Sequence, residues 1–281
     1  MISHIFIGVN IYNKDTGQFQ YQKNNYNKKI NVLFYDEALN TLDCNEDIYY
    51  DGDNSSYCFE GFDNIYVELY VNDKKEEFKN TLVLNKLGIN KVEFRFRASY
   101  LHCRDMFKKC TYLTIIDFSY CKFKVSSINS MFKDCHNLKQ VKGLNSLDTS
   151  DVSNFSEIFS GCYSLKFISG LSYLNTEKAT NFKFLFEYCL SLRRVNLAQI
   201  SVKNVKKAQS MFYNCRNLTG VNLSTKVKGE NCGKSGEKLT LNLEDGEVFG
   251  GIDNKGVLKL GEGIKVKEGK KLPRRWRIIY V

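Results

Sequence analysis

The chain of 281 residues is 43% hydrophobic and 14% aromatic, which is sufficient for a packed core without disulfide bonds. It contains no apolar run near the roughly 18 residues of a membrane-spanning helix, and its first residues lack the basic start and apolar stretch of a signal peptide. The formal net charge of +10 arises in the middle and C-terminal parts, where either an acidic partner or a plainly solvated surface is expected. We therefore predict a cytoplasmic protein, or a cell-surface protein if a leader has been removed.

Residues 1–98 are predicted to form a β-rich N-terminal capping region. Alternating apolar and polar residues at 65–71 and 92–97 are typical of strands. We expect this region to cover the first of the repeats that follow, with residues 90–97 as a degenerate first strand. The acidic residues of 43–53 do not have the spacing of an EF-hand loop, so we interpret them as a solvated loop.

Residues 99–223 contain five copies of the pattern Phe-x-x-Cys-x-x-Leu-x-x-(Ile/Val), spaced by 25 to 27 residues. We call the residues at one position of successive repeats a column. Three columns are formed by the phenylalanine, the cysteine and the leucine of the pattern. Repeat by repeat, these residues are Phe107, Cys110 and Leu113; Phe132, Cys135 and Leu138; Phe159, Cys162 and Leu165; Phe186, Cys189 and Leu192; and Phe212, Cys215 and Leu218.

Each repeat is predicted to contain one short helical turn and one short strand. Apolar residues four and one positions before the phenylalanine fit one face of a helical turn, and the stretch that begins at the leucine alternates like a strand. Neither element can bury its apolar side alone, so we expect each repeat to pack on the next. The predicted fold class is therefore an α/β repeat solenoid with β-rich N- and C-terminal caps.

The repeats also resemble a known family. The run from Met131 to Leu138, Met-Phe-Lys-Asp-Cys-His-Asn-Leu, resembles the Met-Phe-x-x-Cys-x-x-Leu signature of the BspA-like leucine-rich repeats of bacterial and protist surface proteins. The run from Leu147 to Phe155 resembles that family's Asp-Thr-Ser-x-Val segment. The resemblance covers about residues 99–223 and implies a right-handed leucine-rich-repeat coil, with adhesion or protein binding as its role.

Catalytic and metal chemistry find little support in the sequence. The chain has ten cysteines but no Cys-x-x-Cys, and the apolar neighbours of the cysteine column predict a buried row of thiols in a reducing compartment rather than disulfides or a zinc site. The histidines His4, His102 and His136 have no nucleophile and carboxylate in a recognised arrangement. We predict no metal, no cofactor and no enzymatic activity, with an enzyme in residues 1–98 as a remote alternative.

The polar residues around the repeat strands form the candidate partner-binding surface, which we call the strand face. Just after the repeat leucine stand Thr114, Lys139, Lys166, Arg193 and Thr219, and the neighbouring columns add further basic residues and one aromatic residue. This pattern predicts a basic stripe that serves either binding or solvation. The candidate partner-binding residues of the strand face are Lys139, Lys142, Lys166, Phe167, Arg193 and Arg194.

Residues 224–281 are predicted to form a basic β-hairpin C-terminal cap with its turn at residues 254–256. Arg274, Arg275 and Trp276 are a second set of candidate partner-binding residues, since arginine beside tryptophan can hold an acidic or nucleic-acid partner. The alternative is that Trp276 anchors a terminal strand.

Taken alone, the sequence predicts a non-enzymatic protein–protein interaction module or scaffold that binds an acidic protein partner through the basic strand face. A nucleic-acid or ribonucleoprotein-associated factor is the first alternative, and it requires binding that falls steeply with salt. A cell-surface adhesin-like protein is the second alternative and depends on the family resemblance. The oligomeric state is left open.

Overall fold

We analysed the protein as a computed structural model. The structure describes residues 7–13, 18–24, 29–36, 41–42, 67–77, 82–83, 88–96, 100–111, 113–120, 122–202, 204–223, 239–241, 248–261, 264–266 and 272–281. The strands before the repeats are β1 (Ile7–Asn13), β2 (Gln18–Asn24), β3 (Lys29–Asp36), β4 (Thr41–Leu42), β5 (Val67–Val71), β6 (Lys74–Glu76), β7 (Leu82–Val83) and β8 (Gly88–Phe96). The acidic residues of 43–53 lie outside the described residues.

The remaining elements are short. The strands are β9 (Tyr100–His102), β10 (Leu113–Asp117), β11 (Phe123–Ser127), β12 (Gln140–Lys142), β13 (Leu147–Asp148), β14 (Phe167–Ile168), β15 (Arg194–Asn196), β16 (Gly220–Leu223), β17 (Leu239–Leu241), β18 (Gly256–Leu260), β19 (Ile264–Val266) and β20 (Trp276–Tyr280). Two 3₁₀ helices, η1 (Leu144–Ser146) and η2 (Leu171–Tyr173), complete the described elements.

The first repeat strands join the N-terminal strands in one sheet of order β14-β12-β10-β3-β8-β5-β6. Strands β10, β12 and β14 pair in parallel, whereas β3 pairs antiparallel with both β10 and β8. Residues 90–97 were expected to be the first repeat strand, but β8 lies between β3 and β5 instead. The inward side chains Val92, Phe94 and Phe96 are buried in this position. Their alternation fits a parallel or an antiparallel neighbour equally well, which explains the difference.

The segment before each repeat cysteine consists of consecutive β-turns, and the predicted helical turn is not present in the described residues. In the second repeat, the amides of Lys133 and Cys135 donate to the carbonyls three residues earlier, at 3.1 and 3.2 Å. The amides of Phe132 and Asp134 donate to the next repeat, at 2.9 and 2.8 Å. Left-handed φ angles of 55° at Ser130 and 61° at Asp134 interrupt any helical run and turn alternate amides towards the neighbouring repeat.

The core is a row of phenylalanine rings, one from each repeat. Consecutive rings from Phe107 to Phe249 are separated by 5.3–5.6 Å between centroids, with their planes within 10° of each other. Burying each such side chain stabilises the fold by roughly 1.5–3 kcal/mol. The repeat residues singled out from the sequence are all at most 1% exposed: Phe132, Cys135, Leu138, Phe159, Cys162, Leu165, Phe186, Cys189 and Leu192.

The C-terminal part continues the pattern of the repeats. Strand β18 pairs in parallel with β16 on one side and β20 on the other, which corrects the predicted hairpin around residues 254–256. Phe249 stacks on Phe212, and Gly251 has a φ of 71° at the position that Asp134 occupies in the second repeat. Ile252 and Leu258 take the places of the repeat cysteine and valine and are buried. A sixth copy therefore follows the fifth, at a spacing of 37 residues (249 − 212).

Candidate interaction surface

Backbone hydrogen bonds join the first column of the strand face in two groups, and strands β14 and β15 on either side of the division belong to separate sheets. The amide of Lys139 donates to the carbonyl of Thr114 at 2.8 Å, and the amide of Lys166 donates to the carbonyl of Lys139 at 3.0 Å. The amide of Thr219 donates to the carbonyl of Arg193 at 2.8 Å. The side chains of Lys139, Lys166 and Arg193 are exposed. Each repeat from the second to the fourth thus presents one cation at the same position.

The second column places an aromatic ring among these cations. Phe167 pairs in register with Gln140 on the neighbouring strand, and its side chain is 51% exposed. Arg194 is exposed and pairs in register with Gly220. Lys142, at the end of β12, is half-buried and pairs in register with Asp117. Phe167 is therefore an apolar group on an otherwise cationic face.

In the part of the chain that the structure describes, the cations of the strand face are not neutralised by ion pairs, although Asp117 is the register partner of Lys142. Within the described residues, no ion pair involves Lys139, Lys142, Lys166, Arg193 or Arg194. Elsewhere, Lys124 and Lys178 both contact Asp151 at 2.7 Å. Without such ion pairs the strand face carries unneutralised positive charge, and the like charges of neighbouring repeats repel each other.

The turn segments form a second face, which we call the turn face, and there some of the charged groups have partners within the chain. Lys133 forms an ion pair with Glu157, and the hydroxyl of Ser160 donates to Glu187 at 3.1 Å. Burial raises the pKa of Glu187, although Ser160 and Lys133 oppose this effect. Burial lowers the pKa of Lys133, but the hydrogen bond and charge of Glu157 outweigh it and raise the pKa overall.

The histidines and cysteines that could have supported catalysis make contacts that stabilise the fold. The His136 ring stacks on Tyr163, 4.5 Å between centroids and 4° between planes, and His102 Nδ1 lies 3.1 Å from the hydroxyl of Ser126. The Cys135 thiol donates to the carbonyl of Phe107 at 2.8 Å, and the same bond recurs in the next three repeats. Burial raises the pKa of Cys135 well above its usual value, so this thiol stays protonated at neutral pH.

The C-terminal candidate residues separate into two kinds. Arg274 and Arg275 are exposed, whereas Trp276 is 8% exposed and its ring packs against Phe249. The position of Trp276 is that of a strand anchor, because its ring is not available at the surface. The described part of the chain offers no hydrogen-bond partner to its indole Nε1.

The structure also extends the strand face beyond the residues that the sequence indicated. Arg194, Gly220, Val257 and Arg277 are successive partners in the parallel register from β15 to β20, and Arg277 is exposed. Lys259 is also exposed, and it is the register partner of Asn222, which pairs in turn with Asn196. In the sequence, Lys259 is next to Leu258 and Arg277 is next to Ile278. These positions can be assigned to the strand face only after the sixth repeat has been aligned.

Comparison with known proteins places the family resemblance on the repeats. Residues 101–226, 126 of the 281 residues, match the family described as "Mycoplasma protein of unknown function, DUF285". That family is a repeat-containing one related to BspA-like proteins. Comparison with curated proteins and with solved structures gave no match. No helix in the described part of the chain has the length and hydropathy needed to cross a membrane.

Proposed function

We propose that the protein is a non-enzymatic interaction module, a leucine-rich-repeat-like solenoid that binds an acidic protein through its strand face. The observation that carries this proposal is the row formed by Lys139, Lys166 and Arg193, which are exposed, one repeat apart and without an ion pair among the described residues. Some cations elsewhere, such as Lys124, Lys133 and Lys178, are paired with carboxylates of the same chain. Others, such as Lys206 and Arg216, are exposed and form no ion pair among the described residues, so the regular repetition of the row is what sets it apart.

The energetics of the row favour a bound anion. Cations on adjacent strands repel one another in the free protein, and carboxylates of a partner relieve that repulsion. Phe167, half-exposed beside these charges, supplies the apolar contact that a purely solvated surface does not need. Arginine and aromatic residues are also the types that most often dominate binding energy at interfaces.

The surroundings of the cysteines and histidines support a non-catalytic role. A nucleophilic cysteine needs a lowered pKa and access to a substrate. The cysteine column has the opposite properties, since Cys110, Cys135, Cys162, Cys189 and Cys215 are buried and their pKa values are raised by burial. Buried free thiols also agree with the proposed cytoplasmic location.

The test is a pull-down from lysate of the native cells with three forms of the protein. These are the parent, the strand-face variant Lys139→Glu, Lys166→Glu, Arg193→Glu, and a charge-matched control, Lys206→Glu, Lys207→Glu, Arg216→Glu, whose side chains are exposed away from the row. We expect a partner that the parent and the control retain and the strand-face variant loses. Thermal melting of all three forms checks that each is folded.

Two further arms separate the alternatives. Nuclease treatment of the lysate and a salt series distinguish a nucleic-acid partner, whose binding falls steeply with salt, from a protein partner. A partner retained equally by all three forms would overturn the assignment of the strand face. A partner lost only after nuclease treatment would replace the acidic protein by a nucleic acid.

A further inference from the structure

The distance between consecutive repeats can be compared with the periods of the regular conformations that a bound polymer can adopt. Stacked repeat phenylalanines lie 5.4–5.6 Å apart from Phe107 to Phe212, and paired backbone strands lie about 4.8 Å apart. The repeats that carry Lys139, Lys166 and Arg193 follow one another at this interval, as their stacked phenylalanines show. A partner that places one carboxylate opposite each cation must have a period of about 5 Å.

An α-helix has that period. Its pitch is about 5.4 Å, so residues at i, i+4 and i+7 present one side chain per turn along one face. An extended strand presents side chains to one side about every 6.7 Å. A polyproline II helix has a pitch of about 9.3 Å. Over two repeats an extended strand drifts by about 3 Å and a polyproline II helix by about 8 Å from the repeat interval.

From this match we infer that the strand face takes an acidic amphipathic helix, lying across the repeat strands and parallel to the row of phenylalanine rings. Carboxylates at i, i+4 and i+7 face Lys139, Lys166 and Arg193. An apolar residue on the same helix face contacts Phe167, and Arg194 flanks the helix. This inference rests on the proposed function and names the kind of acidic partner.

Phe167 gives the inference a second requirement besides charge. It lies one residue after Lys166 and pairs with Gln140 on the adjacent strand, and both Lys166 and Phe167 are exposed. A polyanion without apolar groups leaves this 51% exposed ring uncovered. A helix whose acidic stripe is bordered by leucine covers it.

Two synthetic peptides of the same composition test the geometry. Both are hydrocarbon-stapled on the face away from the protein, so that both are helical, and each is about four turns long. In the patterned peptide the glutamates occupy i, i+4, i+7 and i+11 with leucines beside them, and in the scrambled peptide the same residues are spread around the helix. A duplex oligonucleotide of equal charge, whose paired bases are not available to stack on Phe167, is the third probe.

Binding is measured by fluorescence anisotropy against the parent, the strand-face variant, the charge-matched control and Phe167→Ala. We expect the patterned peptide to bind the parent and the control at least about tenfold more tightly than the scrambled peptide. We expect the strand-face variant to lose this binding. Phe167→Ala should weaken the patterned peptide several-fold and leave the oligonucleotide unchanged.

The outcomes separate this inference from the proposed function. Equal binding of the two peptides, lost in the strand-face variant, overturns the helix and leaves an acidic partner in place. Tighter binding of the oligonucleotide than of either peptide overturns the helix and points to a nucleic acid. If no peptide binds while the variant still loses its partner in the pull-down, the partner is acidic but not helical; if the pull-down is also unaffected, both proposals fail.

Discussion

The ring of Trp276 lies against the ring of Phe249, with 5.3 Å between the centroids and 44° between the planes. Phe249 is the last phenylalanine of the stacked row, so the indole covers the ring that would otherwise have no neighbour on that side. Trp276 also faces Gly256 across β18 and β20, where the two residues are partners in register. The glycine leaves the space that the indole occupies.

Trp276→Ala should therefore destabilise the C-terminal end of the row. Removing a buried indole lowers the free energy of unfolding by about 3–5 kcal/mol. Urea denaturation followed by circular dichroism measures the change. Arg275→Ala, at the exposed neighbouring residue, is the control and should stay within about 0.5 kcal/mol of the parent. A Trp276→Ala protein that unfolds at the same urea concentration as the parent would show that the indole does not support the row.

Gly256→Ala should displace the indole rather than remove it. A Cβ at residue 256 would come within 2.1 Å of Cε2 of Trp276, whereas a Cβ at Gly220 would meet no atom closer than 3.6 Å. We expect Gly256→Ala to lose about 1–3 kcal/mol of stability through overpacking, and Gly220→Ala to lose much less. Trp276 is the sole tryptophan, so its emission maximum reports the displacement directly. An unshifted emission in Gly256→Ala would contradict the described packing.

The thiol column predicts that stability falls at alkaline pH. Burial raises the pKa of Cys215 to about 12 from an ordinary value of 9.0. The folded protein therefore keeps a proton that the unfolded chain releases, and the stabilisation, complete below pH 9, is lost as the pH rises towards 12. Each such thiol contributes a slope of up to about 1.4 kcal/mol per pH unit in that window. Denaturation between pH 8 and 10.5 measures it, and Cys215→Val should have a shallower slope than the parent; an equal slope would assign the effect to other groups.

A surface ion pair gives a prediction at acidic pH. Hydrogen bonds from Lys124 and Lys178 to Asp151 lower the pKa of that carboxyl to about 2. Its contribution to stability is present above the ordinary pKa of 3.8 and is lost as the pH falls through 2. Carboxyl chemical shifts measured by NMR should titrate near 2 in the parent and near 3.8 in a Lys124→Met, Lys178→Met variant. Asp148, whose pKa is lowered first by hydrogen bonds from Ser150, should respond less.

The sequence predicts the buried columns well because each position recurs in register. A residue such as Leu165 has the same neighbours in every repeat, so five aligned copies reveal which positions are apolar. The turn conformation is not predictable in the same way. Its left-handed residues include Lys109, Glu157 and Tyr188, types that carry no signature of positive φ. Gly161 and Gly251, at equivalent positions of the third and sixth repeats, are the residues that hint at it.

Long-range pairing explains what the sequence did not reveal about the ends and the surface. The pairing of β3 with β10 joins segments far apart in the chain, and no local pattern records it. The sixth repeat has Ile252 and Lys255 where the others have cysteine and leucine, so its alignment fails at two of the defining columns. For that reason the sequence alone does not indicate Arg277 as a strand-face residue. Trp276, a candidate partner-binding residue by sequence, is buried in the structure.

The hydrogen bonds that leave one turn segment end on the equivalent atoms of the next, as from Phe107 to Met131 and from Phe132 to Ile158. An in-frame duplication or deletion of one whole repeat in the gene therefore recreates the same junction and needs no compensating mutation. Each added copy of the second, third or fourth repeat lengthens the cationic row by one lysine or arginine.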